Sequence, residues 1–177
     1  MALSRAWNGY LRMSSQHPWK TTIVGTGLLM ATGDLISQKV VEKKPSIELS
    51  RTMRFAALGV FYVAPVSRAW FVFLQRNVNG STPLIAVLKR VACDQFLFAP
   101  LSLTTFLFLN SLLQGKTLEQ TKQYWRSNFP EVYRANLYVW PGVQLLNFSV
   151  IPLDQRVLFV QVVALFWNIY LAFKTQQ

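Results

Sequence analysis

Five long apolar windows follow one another along the chain, separated by short polar segments. Each window contains at most one Asp, Glu, Lys or Arg; the windows are residues 21–38, 55–75, 91–113, 135–153 and 157–173. An apolar helix needs about 17–25 residues to cross a bilayer, and all five windows fall in or near that range. A chain of 177 residues has no globular interior large enough for five helices that are apolar on every side. The pattern therefore predicts a multi-pass membrane protein.

The apolar windows predict helices and not barrel strands. In a membrane every backbone polar group needs an internal partner, so spans are helices or closed barrels. Barrel strands alternate apolar and polar residues, and runs such as "LSLTTFLFLNSLL" do not. We therefore expect an all-α, multi-pass transmembrane helix bundle with four to five membrane-embedded helices, forming a single membrane domain over residues 1–177. The expected spans are about 19–41, 54–75, 86–113 and 132–152, with a fifth at 156–173.

A short motif occurs twice within these windows. The sequence "FYVAPVS" at 61–67 recurs as "FLFAPLS" at 96–102, thirty-five positions later. Consecutive spans run in opposite directions, so a repeat of one span onto the next is inverted in the membrane. Inverted repeats with interrupted helices are common in transporters and channels. The repeat therefore predicts two matched helix interruptions, at Pro65 and Pro100.

Each of these prolines removes one backbone donor and frees the carbonyl four residues earlier. The freed carbonyls are expected at Phe61 and Phe96, and a third helix kink is expected at Pro141. Freed carbonyls at mid-depth can line a wet cavity, or a hydroxyl group or water can satisfy them. The alternative is that the kinks serve only helix packing.

Polar side chains interrupt the apolar windows at positions that share helix faces. The candidate pathway or bundle-interior residues are Asp34, Gln38, Arg68, Arg90, Asp94, Gln95, Trp140, Gln144 and Asn147. A charge at mid-bilayer costs about 2.5–3.5 kcal/mol on insertion scales, so we expect these residues to turn inward and Arg68 to pair with Asp34 or Asp94. They either line a hydrated pathway or hold the bundle together through hydrogen bonds worth roughly 0.6 kcal/mol each. For Asn147 the second interpretation is favoured.

The charged residues lie mainly in loops and at the ends of the spans. The formal net charge is +11, but no aromatic-basic platform of the kind that binds single strands accompanies it. Attraction to anionic lipid headgroups explains the pattern, and direct nucleic-acid binding is not expected. No acidic residue precedes Asp34, and Leu3, Trp7 and Leu11 share a helical face opposite Arg12. This start predicts an amphipathic helix, which is either a mitochondrial import signal or an interfacial helix, or both.

The sequence offers little for catalysis. Asp34 and Asp94 alone suggest an aspartyl dyad, and the single histidine, His17, lies at the edge of the first span. No phosphate loop or metal-ligand cluster is present in the sequence. We therefore expect no enzyme activity, no catalytic residue, no cofactor and no metal. The single cysteine, Cys93, rules out an internal disulfide and is expected as a buried thiol, with a redox sensor as the alternative.

Several motifs together resemble a known family. They are "HPWK" at 17–20, "GDLISQ" at 33–38, "DQFLFAP" at 94–100, "WPGVQLLNFSVIPLDQR" at 140–156 and "WNIYLAF" at 167–173. The chain resembles the Mpv-seventeen family of small membrane proteins, which includes the twenty-two-kilodalton peroxisomal membrane protein and the yeast stress protein Sym. The resemblance runs from about residue 2 to the end, and the length and start look closest to the mitochondrial inner-membrane member.

The resemblance implies a multi-pass protein, conventionally drawn with four spans, that forms a weakly selective pore of the mitochondrial inner membrane. It implies modulation of the membrane potential and support of mitochondrial DNA and the deoxynucleotide pool. The implied partners are the lipid bilayer, small solutes or ions, and further copies of the chain. Arg68 departs from the family pattern, where a small residue is expected. The alternatives are a structural or assembly protein of a larger inner-membrane complex and a peroxisomal pore for small solutes.

Overall fold

The computed structural model describes residues 2–174, with side chains described over residues 8–166. The side chains of Leu3 and Trp7, on which the predicted amphipathic face depends, lie outside that range. The chain divides into two compact units, residues 2–71 with 152–174 and residues 72–151. We refer to them as unit 1 and unit 2. That the whole chain forms a single membrane domain stays a prediction.

Within residues 2–174 every regular element is helical, which confirms the all-α class. The α-helices are α1 (Ala2–Gln16), α2 (Pro18–Ile36), α3 (Leu49–Leu58), α4 (Ala64–Asn77), α5 (Pro83–Cys93), α6 (Ala99–Leu112), α7 (Leu118–Val150) and α8 (Arg156–Lys174). Three π-helical segments lie next to them, at Ser37–Val41, Gly59–Val63 and Asp94–Phe98, and a 3₁₀ turn covers Leu153–Gln155. The second and third π segments join their neighbouring helices into continuous rods.

Of the helices in the described part of the chain, two are long and apolar enough to cross a membrane. They are the rod Leu49–Asn77, with 29 residues, and the rod Pro83–Leu112, with 30 residues. The first contains the span expected at 54–75, and the second contains all but the last residue of the span expected at 86–113. The spans expected at 19–41 and 156–173 fall within α2 with its π segment and within α8, and the span expected at 132–152 falls within α7 except for its last two residues.

The two rods have the same internal construction, which the sequence repeat predicts. The π segments Gly59–Val63 and Asp94–Phe98 are thirty-five positions apart, and so are α4 and α6, each of 14 residues. A π turn adds one residue to the helical register and is often found at functional sites. The repeat in the sequence is therefore also a repeat in backbone geometry.

The π turns change which carbonyls the prolines leave without a donor. The N–H of Ala64 donates to the carbonyl of Gly59, and that of Ala99 donates to the carbonyl of Asp94, five residues back. With this spacing, each proline that follows comes five residues after the carbonyl that its missing N–H would have bonded. These carbonyls belong to Val60 and Gln95. The expectation for Phe61 and Phe96 assumed uninterrupted α-helical spacing and therefore missed the carbonyls of Val60 and Gln95; for Phe61 and Phe96 themselves it stays a prediction.

Helix α7 begins well before the expected span at 132–152. The side-chain hydroxyl of Thr117 accepts a hydrogen bond from the N–H of Gln120, whose side chain bonds back to the Thr117 N–H. This capping box satisfies donors that the first turn would otherwise leave free. The helix continues through Pro141, which lies inside it, so the kink expected there stays a prediction.

In unit 1, α2 lies against the second π segment and against α8. The packing is close because glycines face the neighbouring helices. A Cβ on Gly59 would lie 3.0 Å from the Cα of Gly27, and a Cβ on Gly25 would lie 2.5 Å from the Leu158 side chain. Small residues that allow helix backbones to approach closely are typical of membrane helix packing.

The distribution of polar and apolar side chains fits a lipid surrounding. Fully buried positions include Gln38 and Asn147, both at 0% exposure, while Phe61 and Leu101 are 81% and 70% exposed. Soluble proteins place charges outside and rarely expose large apolar patches. The described part of the chain therefore has the surface of a membrane protein, with its polar groups turned inward.

Candidate functional site

Asp34 lies at the centre of a buried polar cluster in unit 1, which we call the Asp34 cluster. Its Oδ2 accepts hydrogen bonds from Gln38 Nε2 and from the Thr52 hydroxyl, both at 2.7 Å. Its Oδ1 lies 2.6 Å from Arg51 Nε. Asp34 and Gln38 share one helix face because they are one turn apart, and α3 supplies the other two residues. The carboxylate is thus both hydrogen-bonded and charge-compensated.

The Asp34 cluster continues into the connection between α2 and α3. The guanidinium of Arg51 also makes two hydrogen bonds to Glu42, at 2.8 and 2.7 Å. This contact lowers the pKa of the Glu42 carboxyl to about 2. The N–H of Glu48, at the start of α3, donates to Gln38 Oε1 at 2.7 Å. The cluster therefore joins the end of α2 to the start of α3.

Arg68 belongs to unit 1 as well, but its carboxylate partner is Asp154. Its Nη2 donates to Asp154 Oδ1 at 2.7 Å, and its guanidinium lies 5.3 Å from the centre of the Trp19 ring. The Ser14 hydroxyl donates to the backbone carbonyl of Asp154 at 3.3 Å. The expectation named Asp34 or Asp94 as the partner of Arg68, whereas the turn before α8 brings Asp154 to it.

Asp94 lies at the centre of a second buried cluster, in unit 2, which we call the Asp94 cluster. Its Oδ2 accepts hydrogen bonds from the side-chain amides of Gln95 and Gln144, at 2.8 and 2.9 Å. Gln144 Oε1 in turn accepts from Asn147 Nδ2 at 2.7 Å. Gln95 Oε1 accepts from Asn136 Nδ2 at 2.9 Å. The third π segment and α7 are therefore connected by a chain of amides.

The carbonyl that Pro100 leaves without a donor is satisfied within the same cluster. The Tyr133 hydroxyl donates to the backbone carbonyl of Gln95 at 3.0 Å. An unpaired carbonyl in an apolar surrounding is costly, and the side chain of a neighbouring helix supplies the missing donor here. The interruption of the rod is thus part of its contact with α7.

The other predicted site residues occupy less central positions. Arg90 is buried in α5, and its Nε donates to the carbonyl of Val78 at 3.1 Å. Trp140 is half-buried on α7, and Pro65 and Pro100 are half-buried as well. Among the described residues, no three His, Cys, Asp or Glu side chains form a group that could hold a metal ion.

The comparisons with known proteins agree on one family. The model of the Mpv17 / PMP22 family matches residues 111–172. The mitochondrial inner membrane protein Mpv17 of Danio rerio is 36% identical over 173 residues, which cover 97% of each chain. The Mpv17 of Bos taurus is 39% identical over 97% of this chain and 98% of its own. Protein SYM1 of Gibberella zeae is 41% identical over 90% of this chain and 91% of its own.

The chain belongs to the Mpv17 / PMP22 family. The predicted location in the mitochondrial inner membrane is confirmed by the names of these relatives. No solved structure matches the chain. The resemblance based on "GDLISQ", "DQFLFAP" and "WPGVQLLNFSVIPLDQR" is thereby confirmed, and these three motifs supply the carboxylates of both clusters and of the Arg68 pair.

Sequence reasoning missed several residues of these sites in this Mpv17 / PMP22 family member. They are Glu42, Arg51 and Thr52 of the Asp34 cluster, Tyr133 of the Asp94 cluster, and Asp154, the partner of Arg68. The charged residues could have been found from the sequence. The chain has only seven Asp and Glu residues, and a buried arginine needs one of them as a partner. No sequence signal identified Thr52 or Tyr133, since their partners depend on which helices are neighbours.

Proposed function

We propose that this chain forms a weakly selective pore of the mitochondrial inner membrane that modulates the membrane potential. Through that activity it supports maintenance of mitochondrial DNA and of the deoxynucleotide pool. The observation that carries the proposal is the set of buried ionisable residues within apolar helices, namely Asp34, Arg68 and Asp94. Intramembrane ionisable residues are expensive and are usually functional. The protein acts on small solutes or ions, without enzyme activity and without binding nucleic acid directly.

In this proposal four or five helices are embedded in the membrane. The rods Leu49–Asn77 and Pro83–Leu112 are two of them, and α2 and α7 are the next two. Helix α8 has 19 residues, which corresponds to about 28 Å at 1.5 Å per residue and suffices for a fifth. Glycosylation sites or cysteines placed at both termini test this number, because five spans put the termini on opposite sides. Termini on the same side would exclude the fifth span.

The third π segment supports a pathway close to the Asp94 cluster. Single π turns within α-helices are frequent at functional sites, and Asp94 begins one of them. Interrupted helices with ionisable residues at mid-depth are the usual elements of transport pathways. From its buried position the Asp94 carboxylate would then influence, through its charge, which ions pass.

Conductance of the purified protein in planar bilayers tests the pore directly. We expect ion conductance from the native protein, with a selectivity that changes in Asp94→Asn and in Arg68→Gln, because each removes a buried charge. Lys43→Gln is the matched control, since Lys43 is an exposed loop cation and its loss should leave selectivity unchanged. Silent bilayers containing well-folded protein would contradict the pore.

The second candidate function is a structural or assembly role in a larger inner-membrane complex. The observation that favours it is that the buried polar groups largely bond to one another, as in the chain Asp94–Gln144–Asn147. Such bonds are also expected where side chains merely hold a bundle together. This role predicts a stoichiometric partner after gentle detergent extraction and unchanged function in Asp94→Asn. A silent protein that co-purifies with such a partner would favour this second role.

A further inference from the structure

Within unit 2, helix α6 lies antiparallel to the first half of α7. The contacts form a ladder: the Thr121 hydroxyl donates to the Ser111 hydroxyl at 3.1 Å, and Trp125 Nε1 donates to the Thr104 hydroxyl at 3.1 Å. Further along, Tyr133 reaches the carbonyl of Gln95. Each residue in the first half of α7 therefore has a known level along α6.

The two neighbouring stretches differ sharply in polarity. Residues 95–115, which include α6, contain no Asp, Glu, Lys or Arg. The first half of α7 lies at the same level and carries exposed or half-exposed charges, at Glu119, Lys122, Arg126, Glu131 and Arg134. Leu101 on α6 is 70% exposed, as expected of a residue that faces lipid. The apolar surface of α6 and the polar surface of α7 therefore lie at the same level along the helix pair.

This arrangement adds a level to the expected spans, which stay a prediction. Gln144, in the window 132–152, lies beside Asp94, and the hydrogen-bond ladder places the earlier residues 121–133 beside 95–111. If Pro83–Leu112 crosses the bilayer, the charges of the first half of α7 lie within the depth of α6. Charges that faced lipid there would each cost about 2.5–3.5 kcal/mol.

Two shallow grooves follow this polar side of α7. One has a volume of about 370 Å³ and is lined by Lys116, Gln120, Gln123, Tyr124, Ser127 and Asn128. The other has a volume of about 440 Å³, and in it Glu119, Lys122 and Arg126 join Gln120 and Gln123. The lining is formed by amides, hydroxyls and more cations than anions. It suits water and small polar anions better than acyl chains.

We propose that the polar face of α7 around Gln120 and Gln123 is the hydrated wall of the solute pathway and that it takes small anionic solutes. The inference rests on the proposed pore and adds to it. The pathway runs along the exposed side of α7, while the buried Asp94 cluster holds α7 against the rod that carries α6. Lys122 forms an ion pair with Glu119 at 2.9 Å, so Lys116 and Arg126 supply the positive charge that attracts the anion. The neighbouring amides and hydroxyls replace part of its hydration.

Cysteine accessibility tests the hydrated wall without requiring conductance. Gln123→Cys and Ser127→Cys are placed in a Cys93→Ser background and reconstituted in vesicles with a membrane-impermeant thiol reagent. Thr105→Cys is the matched control, because Thr105 is exposed on α6 at nearly the same level. Thiols react as thiolates, which lipid suppresses, so we expect the two α7 cysteines to react at least about tenfold faster than the control.

Each other outcome overturns the proposal. Equally fast labelling of Thr105→Cys would place this end of both helices outside the bilayer. Slow labelling at both α7 positions would show that lipid or protein covers the face. Using two α7 positions guards against a single variant that fails to fold.

Charge reversal tests the solute. In the conducting protein, Lys122→Glu together with Arg126→Glu should lower the anion-to-cation permeability ratio several-fold, because the field of the groove changes sign. Lys43→Glu, in the loop before α3, is the control and should leave the ratio unchanged. An unchanged ratio in the double variant would overturn the anionic pathway. A silent protein with a fast Gln123→Cys reaction would overturn the proposed pore and its solute but leave the hydrated face established.

Discussion

The rods Leu49–Asn77 and Pro83–Leu112 are built on one plan but contact their neighbours in different ways. Both have a π segment followed by a 14-residue helix that begins with a buried alanine and a proline. The first position of the π segment is Gly59 in one rod and Asp94 in the other. This difference accompanies a different kind of helix contact in each rod.

Gly59 lets two backbones approach. A Cβ at this position would lie 3.0 Å from the Cα of Gly27 and 3.1 Å from the carbonyl oxygen of Thr26. Asp94 instead extends a carboxylate that accepts hydrogen bonds from amides. The comparison teaches that the same deformation of the backbone can serve a steric contact or a polar one, depending on the side chains that the π segment carries.

The largest effect on stability is expected when a side chain is added at Gly59, where two helix backbones approach closely. Gly59→Val places a side chain against backbone atoms that cannot move aside easily. We expect a loss of about 3 kcal/mol in the free energy of unfolding, at the upper end of overpacking penalties. Thermal or denaturant unfolding in detergent measures it. Gly142→Val is the control, because a Cβ there meets nothing within 4 Å; equal stability of the two variants would show that the close approach does not matter.

The polar contact is tested by Asp94→Ala, which leaves the amides of Gln95 and Gln144 without their acceptor. We expect a loss of about 2 kcal/mol in the free energy of unfolding, within the usual cost of an unsatisfied buried group. Asp94→Asn keeps one acceptor and should lose less. Glu131→Ala, at an exposed site on α7, serves as the control. If alanine at 94 were tolerated as well as alanine at 131, the Asp94 cluster would not hold the helices.

A smaller effect concerns the carbonyl that Pro100 leaves without a donor. Tyr133→Phe removes the hydroxyl that donates to Gln95 and should cost about 1 kcal/mol of stability. In a Pro100→Ala background the restored backbone N–H can bond to the Gln95 carbonyl. Tyr133→Phe should then cost less stability. Unfolding of the four proteins in this double-mutant cycle measures the coupling. Tyr138→Phe, at a site 88% exposed, should be neutral; identical costs in both backgrounds would show that Pro100 is unrelated to the Tyr133 contact.

The smallest effect is expected in the loop of the Asp34 cluster. The pKa of Glu42 falls from 4.5 to about 2 because Arg51 stabilises the carboxylate. Its contribution to stability is therefore present above about pH 4.5 and is lost as the pH falls toward 2. Glu42→Gln should flatten the pH dependence of unfolding in that range, measured by acid titration. Lys43→Gln is the control, and a native slope in Glu42→Gln would contradict the assignment.

Several features of the clusters could be predicted from the sequence. Asp34 and Gln38 are one turn apart, so their shared face follows from the helical period alone. The match of "FYVAPVS" with "FLFAPLS" likewise predicted two interruptions at one spacing. The interruptions lie at the predicted places, but their π register does not follow from the motif, which is why the freed carbonyl was assigned to Phe96 and not to Gln95.

The partners across helices could not be predicted in this way. The sequence suggested Asp34 or Asp94 as the partner of Arg68, and only the position of the turn before α8 selects Asp154. Which residues of α7 lie beside which residues of α6 could not be predicted either. A charge-free window predicts a span but does not show which residues of another helix lie beside it. The polar first half of α7 was accordingly taken for a connecting segment.

The sequence by itself determined the helical class, the membrane location and the repeat, because these follow from local apolar patterning and from motifs shared with relatives. Only the tertiary structure decided which buried charge meets which partner and at what depth the polar face of α7 lies. The physical reason is that burial requires every charge and carbonyl to find a partner, whereas the choice of partner depends on how the helices are packed.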